Sequence, residues 1–167
     1  DNAVASMGTA LTVEQTRLLS RFTKELVLCY DNDNAGKIAT ERALQILNGS
    51  EFSVKVLQLP RRLVDGEYIK QDADDFIKFQ GPDAFERLLN GSENGVEFRM
   101  AQIAGKYDLK DDEARIAYCG EVSELLASLP GAVEREIYTG RAAEAAGITA
   151  EAMKLEVQRS FKRRIAR

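Results

Sequence analysis

The stretch LVLCYDNDNAGK, residues 26–37, decides the fold that this sequence predicts. Its first five residues are apolar in succession, as in a strand that is covered on both faces. Two aspartates, Asp31 and Asp33, end this run, and Gly36 opens a helical pattern. A second strand, FSVKVLQLP, follows at residues 52–60. Two apolar strands joined through a helix predict a parallel sheet with a right-handed crossover.

The segments on either side extend this α/β pattern. NAVAS, residues 2–6, predicts a short strand, and the capping-box spacing of Thr12 and Gln15 predicts a helix over residues 11–22. Residues 61–71, RRLVDGEYIKQ, are predicted to form a polar loop. Residues 72–90 are predicted to be helical, with an interruption at Gly81-Pro82.

The chain is predicted to change character at GSENG, residues 91–95, which has the composition of a linker. Beyond it the apolar spacing is helical throughout. We therefore predict an α/β domain over residues 1–92 and an all-helical domain over residues 93–167. The predicted core faces are formed by Val96, Met100, Ile103 and Tyr107, by Ile116, Cys119, Leu126 and Leu129, and by Val157, Phe161 and Ile165.

Composition excludes several kinds of chemistry. The 167 residues include no histidine and only two cysteines, Cys29 and Cys119, which stand apart. This excludes the usual structural zinc sites and histidine-based catalysis, and both cysteines are interpreted as small buried hydrophobic residues. Because no apolar run is long enough to span a bilayer and no signal peptide is recognisable, we expect a cytoplasmic protein without a membrane partner.

The two aspartates at the end of the first strand suggest a metal site. Side chains two apart in a strand point the same way, so Asp31 and Asp33 would both face the crevice at the carboxyl end of the sheet. Mg²⁺ prefers oxygen ligands of this kind, and the helix start at Gly36, with Lys37 beside it, would favour a phosphate. A turn followed by a helix N-cap, with no ligand, remains an alternative.

Other interpretations of the same motif are weaker. An EF-hand loop that begins at Asp31 would have Ala35 at its fifth position and Arg42 at its twelfth, where a bidentate glutamate is required. A phosphotransfer aspartate would also stand at a strand end, but the other residues of such a site are not recognisable. We therefore exclude the EF-hand and consider the phosphotransfer aspartate unsupported.

A second acidic group strengthens the metal hypothesis. Asp72, Asp74 and Asp75 follow the second strand and its loop, so they are predicted to emerge at the same sheet edge as the first pair. Taken alone, they are more typical of an acidic helix start than of a metal site. Two acidic groups at neighbouring strand ends favour a divalent-metal site for phosphoryl chemistry.

These segments resemble a known family in their order along the chain. NAVASMGTALT and VLCYDNDNAGKIAT resemble the Toprim region of bacterial DnaG-type DNA primases, and QDADDFI resembles that family's K-D-P-D-E-F-I element. VEREIYTGRAAEAAGITAEAMKLEV resembles the helical segment that follows Toprim in the RNA-polymerase domain. The resemblance implies a partial Toprim fold and an enzyme that synthesises RNA primers by metal-dependent nucleotidyl transfer.

The resemblance also implies roles for particular residues. Asp31, Asp33, Asp72 and Asp74 would be the catalytic metal ligands, holding Mg²⁺ or Mn²⁺. Gly36 would allow a close turn at the helix start, and Gly8 and Thr9 match a structural G-T pair near the site. We add Lys37 as a candidate nucleotide contact, with a plain surface lysine as the alternative.

The implied partners are a single-stranded DNA template, ribonucleoside triphosphates and a replicative helicase. We expect the helicase-binding domain and the zinc-binding N-terminal module of such a primase to lie outside this stretch, and we expect the stretch alone to be inactive. The family's glutamate-bearing strand before NAVAS has no counterpart here. Asn32 and Ala73 replace the usual Gly and Pro, and the loop of residues 61–70 is longer than usual.

Two other functions stay open at this point. Another Toprim enzyme, a topoisomerase or a nuclease, would share both acidic motifs. A helix-turn-helix DNA reader in the C-terminal half is the non-enzymatic alternative, because Gly147 stands at a plausible turn between two helices.

Overall fold

The structure is a computed structural model that describes residues 2–6, 11–64 and 66–166. Contacts divide the chain into two compact units, one ending at Gly95 and the other beginning at Val96. The predicted domains, residues 1–92 and 93–167, place the boundary a few residues earlier. That the two units are separate domains stays a prediction.

The first unit is an α/β arrangement around a small sheet. Strands β1 and β2 pair in parallel, with Leu28 opposite Val56, which confirms the predicted parallel sheet with its helical crossover. β5 extends the sheet antiparallel to β2. The elements in order are α1 (Val13–Leu19), β1 (Glu25–Cys29), α2 (Asn34–Leu47), β2 (Ser53–Leu57), β3 (Arg62–Val64), β4 (Glu67–Ile69), α3 (Ala73–Gln80), α4 (Pro82–Asn90) and β5 (Glu93–Asn94).

Helix boundaries in this unit follow local chemistry. α1 starts with the predicted capping box, in which Thr12 and Gln15 each bond the other's backbone N–H. The break between α3 and α4 falls at Gly81, whose φ of 86° few other residues tolerate, and Pro82 then takes the first turn of α4. These signals were readable because they are confined to a few adjacent residues.

Two strand pairings in the first unit were not predicted. β3 and β4 pair as an antiparallel β-hairpin, where we predicted a loop, although an Asp-Gly sequence between two apolar pairs is a recognised hairpin signal. The predicted linker contributes β5. Conversely, the predicted strand over residues 2–6 was wrong, because these residues pair with no other described segment and a strand exists only through its ladder.

Strand β1 is less covered than its sequence indicated. Leu28 is buried, whereas Cys29 at the end of the strand is exposed, so the interpretation of Cys29 as a buried residue was wrong. Among the described residues β1 pairs only with β2 and is therefore an edge strand, which leaves part of its surface open.

The second unit is entirely helical among its described residues. It contains α5 (Gly95–Ala104), α6 (Asp112–Ala127), α7 (Ala132–Ala146) and α8 (Ala150–Ile165). α7 and α8 are joined by Gly147, which adopts a left-handed conformation with φ of 65° and ends α7. The core includes Met100, Ile103, Tyr118, Cys119, Val122, Leu126, Leu129, Ala142, Met153 and Val157.

Two predicted core residues of this unit are on the surface. Ile116 is 72% exposed and Ile165 is 71% exposed. Ile116 lies about 120° around α6 from Val122, which is fully buried, so the packed face of the helix excludes it. Ile165 is the last residue of α8, beyond the residues that contact the core. No helix in the described part of the chain combines the length and apolar character needed to cross a bilayer.

Candidate metal centre

Asp33 caps the helix that follows β1. Its Oδ1 accepts the backbone N–H of Gly36 at 2.7 Å, so the helix N-cap considered from sequence is present at this residue. Its Oδ2 receives the ammonium group of Lys70. This hydrogen bond from Lys70, together with the Gly36 N–H, lowers the pKa of Asp33 below its ordinary value.

Gly36 is buried against the backbone of the aspartate turn. A Cβ at this position would lie 2.8 Å from the carbonyl carbon of Asp31 and nearer still to its oxygen, where no side chain fits. The turn therefore requires glycine, as the close turn inferred from the family resemblance implies. Lys37 is exposed, and its backbone N–H donates to the carbonyl oxygen of Asp33 at 2.9 Å.

The second acidic group surrounds the start of α3. Asp72 is the N-cap and accepts the backbone N–H of Asp75 at 2.8 Å. One carboxylate oxygen from each of Asp72, Asp74 and Asp75 lies within 4.8 Å of the others, a spacing that one cation could bridge. Asp74 also pairs with Lys78, and that hydrogen bond raises the pKa of the Lys78 ammonium group.

Three contacts tie the two acidic segments to the same end of the sheet. Asn32 Nδ2 donates to the carbonyl oxygen of Leu59 at 3.0 Å, just beyond the end of β2. Gln71 Nε2 donates to the carbonyl oxygen of Pro60 at 2.6 Å. Lys70, two residues before Asp72, pairs with Asp33. The loops after β1 and β2 and the start of α3 therefore meet at the carboxyl edge of the sheet, where open α/β folds bind ligands.

The structure brings only part of the predicted ligand set into one cluster. Within the described ranges, the carboxylate group close enough for one ion comprises Asp72, Asp74 and Asp75, and it does not include Asp31 or Asp33. That Asp31, Asp33, Asp72 and Asp74 together hold a metal stays a prediction, as does nucleotide binding at Gly36 and Lys37. Gly8 and Thr9 lie outside the described residues.

Lys70 and Gln71 were not singled out from sequence. Gln71 is 6% exposed, and its buried Oε1 has no hydrogen-bond partner among the described residues. Their position directly before the acidic group was the available signal, but the pairing of Lys70 with Asp33 spans 37 residues, and no local pattern reveals it.

Comparisons with known proteins agree with this geometry. Residues 1–77 match a family described as Toprim-like, and residues 96–151 match the DnaB-helicase binding domain of primase. A DNA primase of Clostridium acetobutylicum is 35% identical over 153 residues, which cover 92% of this chain and 24% of that protein.

Solved structures give the same result. A DNA primase domain from Pseudomonas aeruginosa matches with a TM-score of 0.71 at 26% identity, over 94% of this chain and 48% of that one. A DnaG primase catalytic domain bound to ssDNA matches with a TM-score of 0.67 at 26% identity, over 88% of this chain and 45% of the other.

The first unit thus has a Toprim-like fold, with the Asp31–Asp33 turn and the Asp72–Asp75 helix start at the carboxyl edge of the sheet. The chain belongs to the bacterial DnaG-type DNA primases, and it spans about a quarter of the length of the curated relatives it matches. We expected the helicase-binding domain to lie outside this stretch. The match at residues 96–151 corrects that expectation, because a family described by helicase binding falls inside the second unit.

Proposed function

We propose that this chain is the metal-binding part of a primase catalytic core, which joins ribonucleotides into RNA primers on single-stranded DNA by metal-dependent nucleotidyl transfer. The observation that carries the proposal is the meeting of the Asp31–Asp33 turn and the Asp72–Asp75 helix start at one sheet edge, through Lys70 and Gln71. The likeness to primases supports the reaction class.

The side chains at this edge fit a hard divalent cation. Carboxylate and amide oxygens are the ligands that Mg²⁺ and Mn²⁺ accept, and Asp72, Asp74 and Asp75 offer three such oxygens at bridging distance. The buried Oε1 of Gln71, the residue before Asp72 in sequence, has no partner in the described part of the chain and is a further candidate oxygen. We assign Asp72 and Asp74 as primary ligands, with Asp31 and Asp33 completing the site.

A bound cation would supply positive charge that neutralises nucleotide phosphates during transfer. The protein's own residues set the geometry. In both Asp33 and Asp72, one carboxylate oxygen accepts a backbone N–H at a helix N-terminus, and this bond fixes the direction of the second carboxylate oxygen. Lys70 holds the outward oxygen of Asp33, so this lysine would leave Asp33 and pair with a phosphate when a cation and nucleotide bind.

The wider setting of the proposal follows from the family. We infer a single-stranded DNA template and ribonucleoside triphosphates as substrates, a cytoplasmic location, and a helicase contact through the second unit, since residues 96–151 match the DnaB-helicase binding family. The zinc-binding module of such a primase would precede this chain. We expect the isolated chain not to polymerise.

The test is a titration of the chain with Mn²⁺, in which the paramagnetic broadening of NMR signals reports which residues lie near the ion. Broadening is expected at residues 72–75 and at residues 31–33 together, and Asp74→Asn should weaken it at both segments.

Asp83→Asn is the matched control and should change nothing, because Asp83 is an exposed acid in the first turn of α4. Residues 111–113 form an acidic helix start of the same local kind, with Asp111 accepting the Ala114 N–H at 2.8 Å. Equal broadening there, or none at residues 31–33, would reject the site.

A further inference from the structure

The hairpin formed by β3 and β4 has an exposed face that no described element covers. Leu63 and Tyr68 are a cross-strand pair, and they are 57% and 69% exposed. The Tyr68 hydroxyl makes no hydrogen bond to any residue that the structure describes. An exposed aromatic and an exposed aliphatic side chain standing side by side form a flat apolar surface.

The hairpin is held in place from its other face and from its base. Arg62, whose side chain alternates to the face opposite Leu63, stacks on Phe79 of α3 with its guanidinium carbon 3.6 Å from the ring centroid. At the base, the bond between Gln71 and the Pro60 carbonyl joins the residues on either side of the hairpin. The Leu63–Tyr68 face therefore points away from α3, and these two contacts hold the hairpin that carries it in place.

Positive charge lies at the base of the same hairpin. Arg61 and Lys70 flank its two ends, and both are exposed. Because Arg62 pairs with Ile69, Arg61 and Lys70 lie next to each other at the open end of the hairpin, where Lys70 is paired with Asp33. An apolar aromatic platform beside an exposed arginine has the composition of a surface that binds single-stranded nucleic acid, in which bases stack and phosphates meet the cation.

We propose that the Leu63–Tyr68 face binds a single-stranded polynucleotide, with a base stacked on Tyr68 and an adjacent phosphate at Arg61, and delivers the strand to the edge that carries the aspartates. The choice of partner rests on the proposed function, because the base of the hairpin adjoins the aspartate edge: Lys70, directly after β4, is paired with Asp33.

The test uses the full chain and an oligothymidylate that carries a photoreactive 4-thiothymidine. Ultraviolet crosslinking followed by peptide mapping should place the main crosslink on the peptide that contains Tyr68. In fluorescence anisotropy, Tyr68→Ala should weaken binding about tenfold, the factor that loss of about 1.4 kcal/mol of stacking gives. Tyr68→Phe, which keeps the ring, should bind like the wild type.

Two control variants distinguish base stacking from nonspecific binding of the oligonucleotide. Phe22 is 81% exposed and lies after α1, away from the hairpin in sequence, so Phe22→Ala should leave binding unchanged. Arg61→Ala should weaken binding and reduce the salt dependence by about one charge, whereas Tyr68→Ala should leave the salt dependence intact.

Three results would overturn the inference: no binding by the wild-type chain, crosslinks that avoid residues 61–71, or a Tyr68→Ala variant that binds as tightly as the wild type. Self-association that Tyr68→Ala abolishes would also overturn it and would indicate a second copy as the occupant. Mn²⁺ broadening at the aspartates does not depend on Tyr68, so failure of this inference and failure of the metal site are distinguishable.

Discussion

Gly36 packs against the backbone of Asp31 so closely that a Cβ on Gly36 would lie 2.8 Å from the Asp31 carbonyl carbon. Gly36→Ala should therefore force the turn and the start of α2 apart and lower the free energy of unfolding by about 3 kcal/mol, at the upper end of ordinary overpacking. Urea unfolding measures this change. The Mn²⁺-induced broadening of the NMR signals of residues 31–33 should be lost in the same variant.

Gly140 provides the matched control for that substitution. It lies exposed inside α7, and a Cβ there meets nothing within 4 Å. Gly140→Ala should stabilise its helix by about 0.5–1 kcal/mol, because alanine has the higher helix propensity. If Gly36→Ala proved equally harmless, the close approach would not be a feature of the folded protein.

Lys70 controls the ionisation of Asp33. Replacing it by methionine removes the hydrogen bond that lowers the Asp33 pKa, so that pKa should move up towards its ordinary value. Because the wild-type pKa is depressed, the stabilisation by this pair is present above the unfolded-state pKa of Asp33 and is lost as the pH falls through the folded-state value. The stability difference between wild type and Lys70→Met should shrink over that acidic range.

Carboxylate carbon NMR of Asp33 over an acid titration measures the shift directly. Lys37→Met is the matched control, since Lys37 is an exposed lysine that makes no contribution to the Asp33 pKa. An Asp33 pKa that stays depressed in Lys70→Met would show that the helix N-terminus at Gly36, not the lysine, sets it.

Asp72 has an observed role as a helix cap and a proposed role as a metal ligand, and substitution can separate the two. Asp72→Asn keeps an oxygen for the Asp75 N–H but removes the charge, so stability should hold within about 0.5 kcal/mol while metal affinity falls. Asp72→Ala removes both and should cost about 1 kcal/mol of stability. Urea unfolding and Mn²⁺ titration of the two variants distinguish the cap from the ligand. Equal Mn²⁺ affinity in Asp72→Asn and wild type would remove Asp72 from the ligand set.

The core of the second unit can be tested with two residues on the same helix. Leu126 is fully buried in α6, and Leu126→Ala should lower the free energy of unfolding by about 3 kcal/mol. Ile116→Ala should change it by no more than about 0.5 kcal/mol, because Ile116 is 72% exposed. A large effect at Ile116 would mean that another surface covers it in solution.

The sequence was sufficient where the fold depends on local signals. The apolar run of β1, the capping box of α1 and the Gly81-Pro82 break each lie within a few residues, and the strand, the cap and the break predicted from them were confirmed, although β1 is not covered on both faces as expected. Pairing was harder. The hairpin of residues 62–69 and strand β5 were missed, because polar, short strands lack the alternation that identifies longer ones.

The errors at Ile116 and Cys29 share one physical cause. An apolar residue marks a possible core position, but burial also needs a neighbour on that side of the element. Ile116 lies on the side of α6 that faces away from the packed core, and Cys29 lies on β1, which is an edge strand of the described sheet. In the same way, the two acidic segments were recognisable from sequence, but the contact of Lys70 with Asp33 was not.

The double use of Asp33 and Asp72 as helix caps has a consequence for ion uptake. Each carboxylate already has one oxygen anchored by a backbone amide before any cation arrives, so neither rotates freely. For the proposed cation site, folding itself would thus provide the preorganisation that a flexible acidic loop has to acquire on binding, and the entropic penalty of capture would be correspondingly smaller.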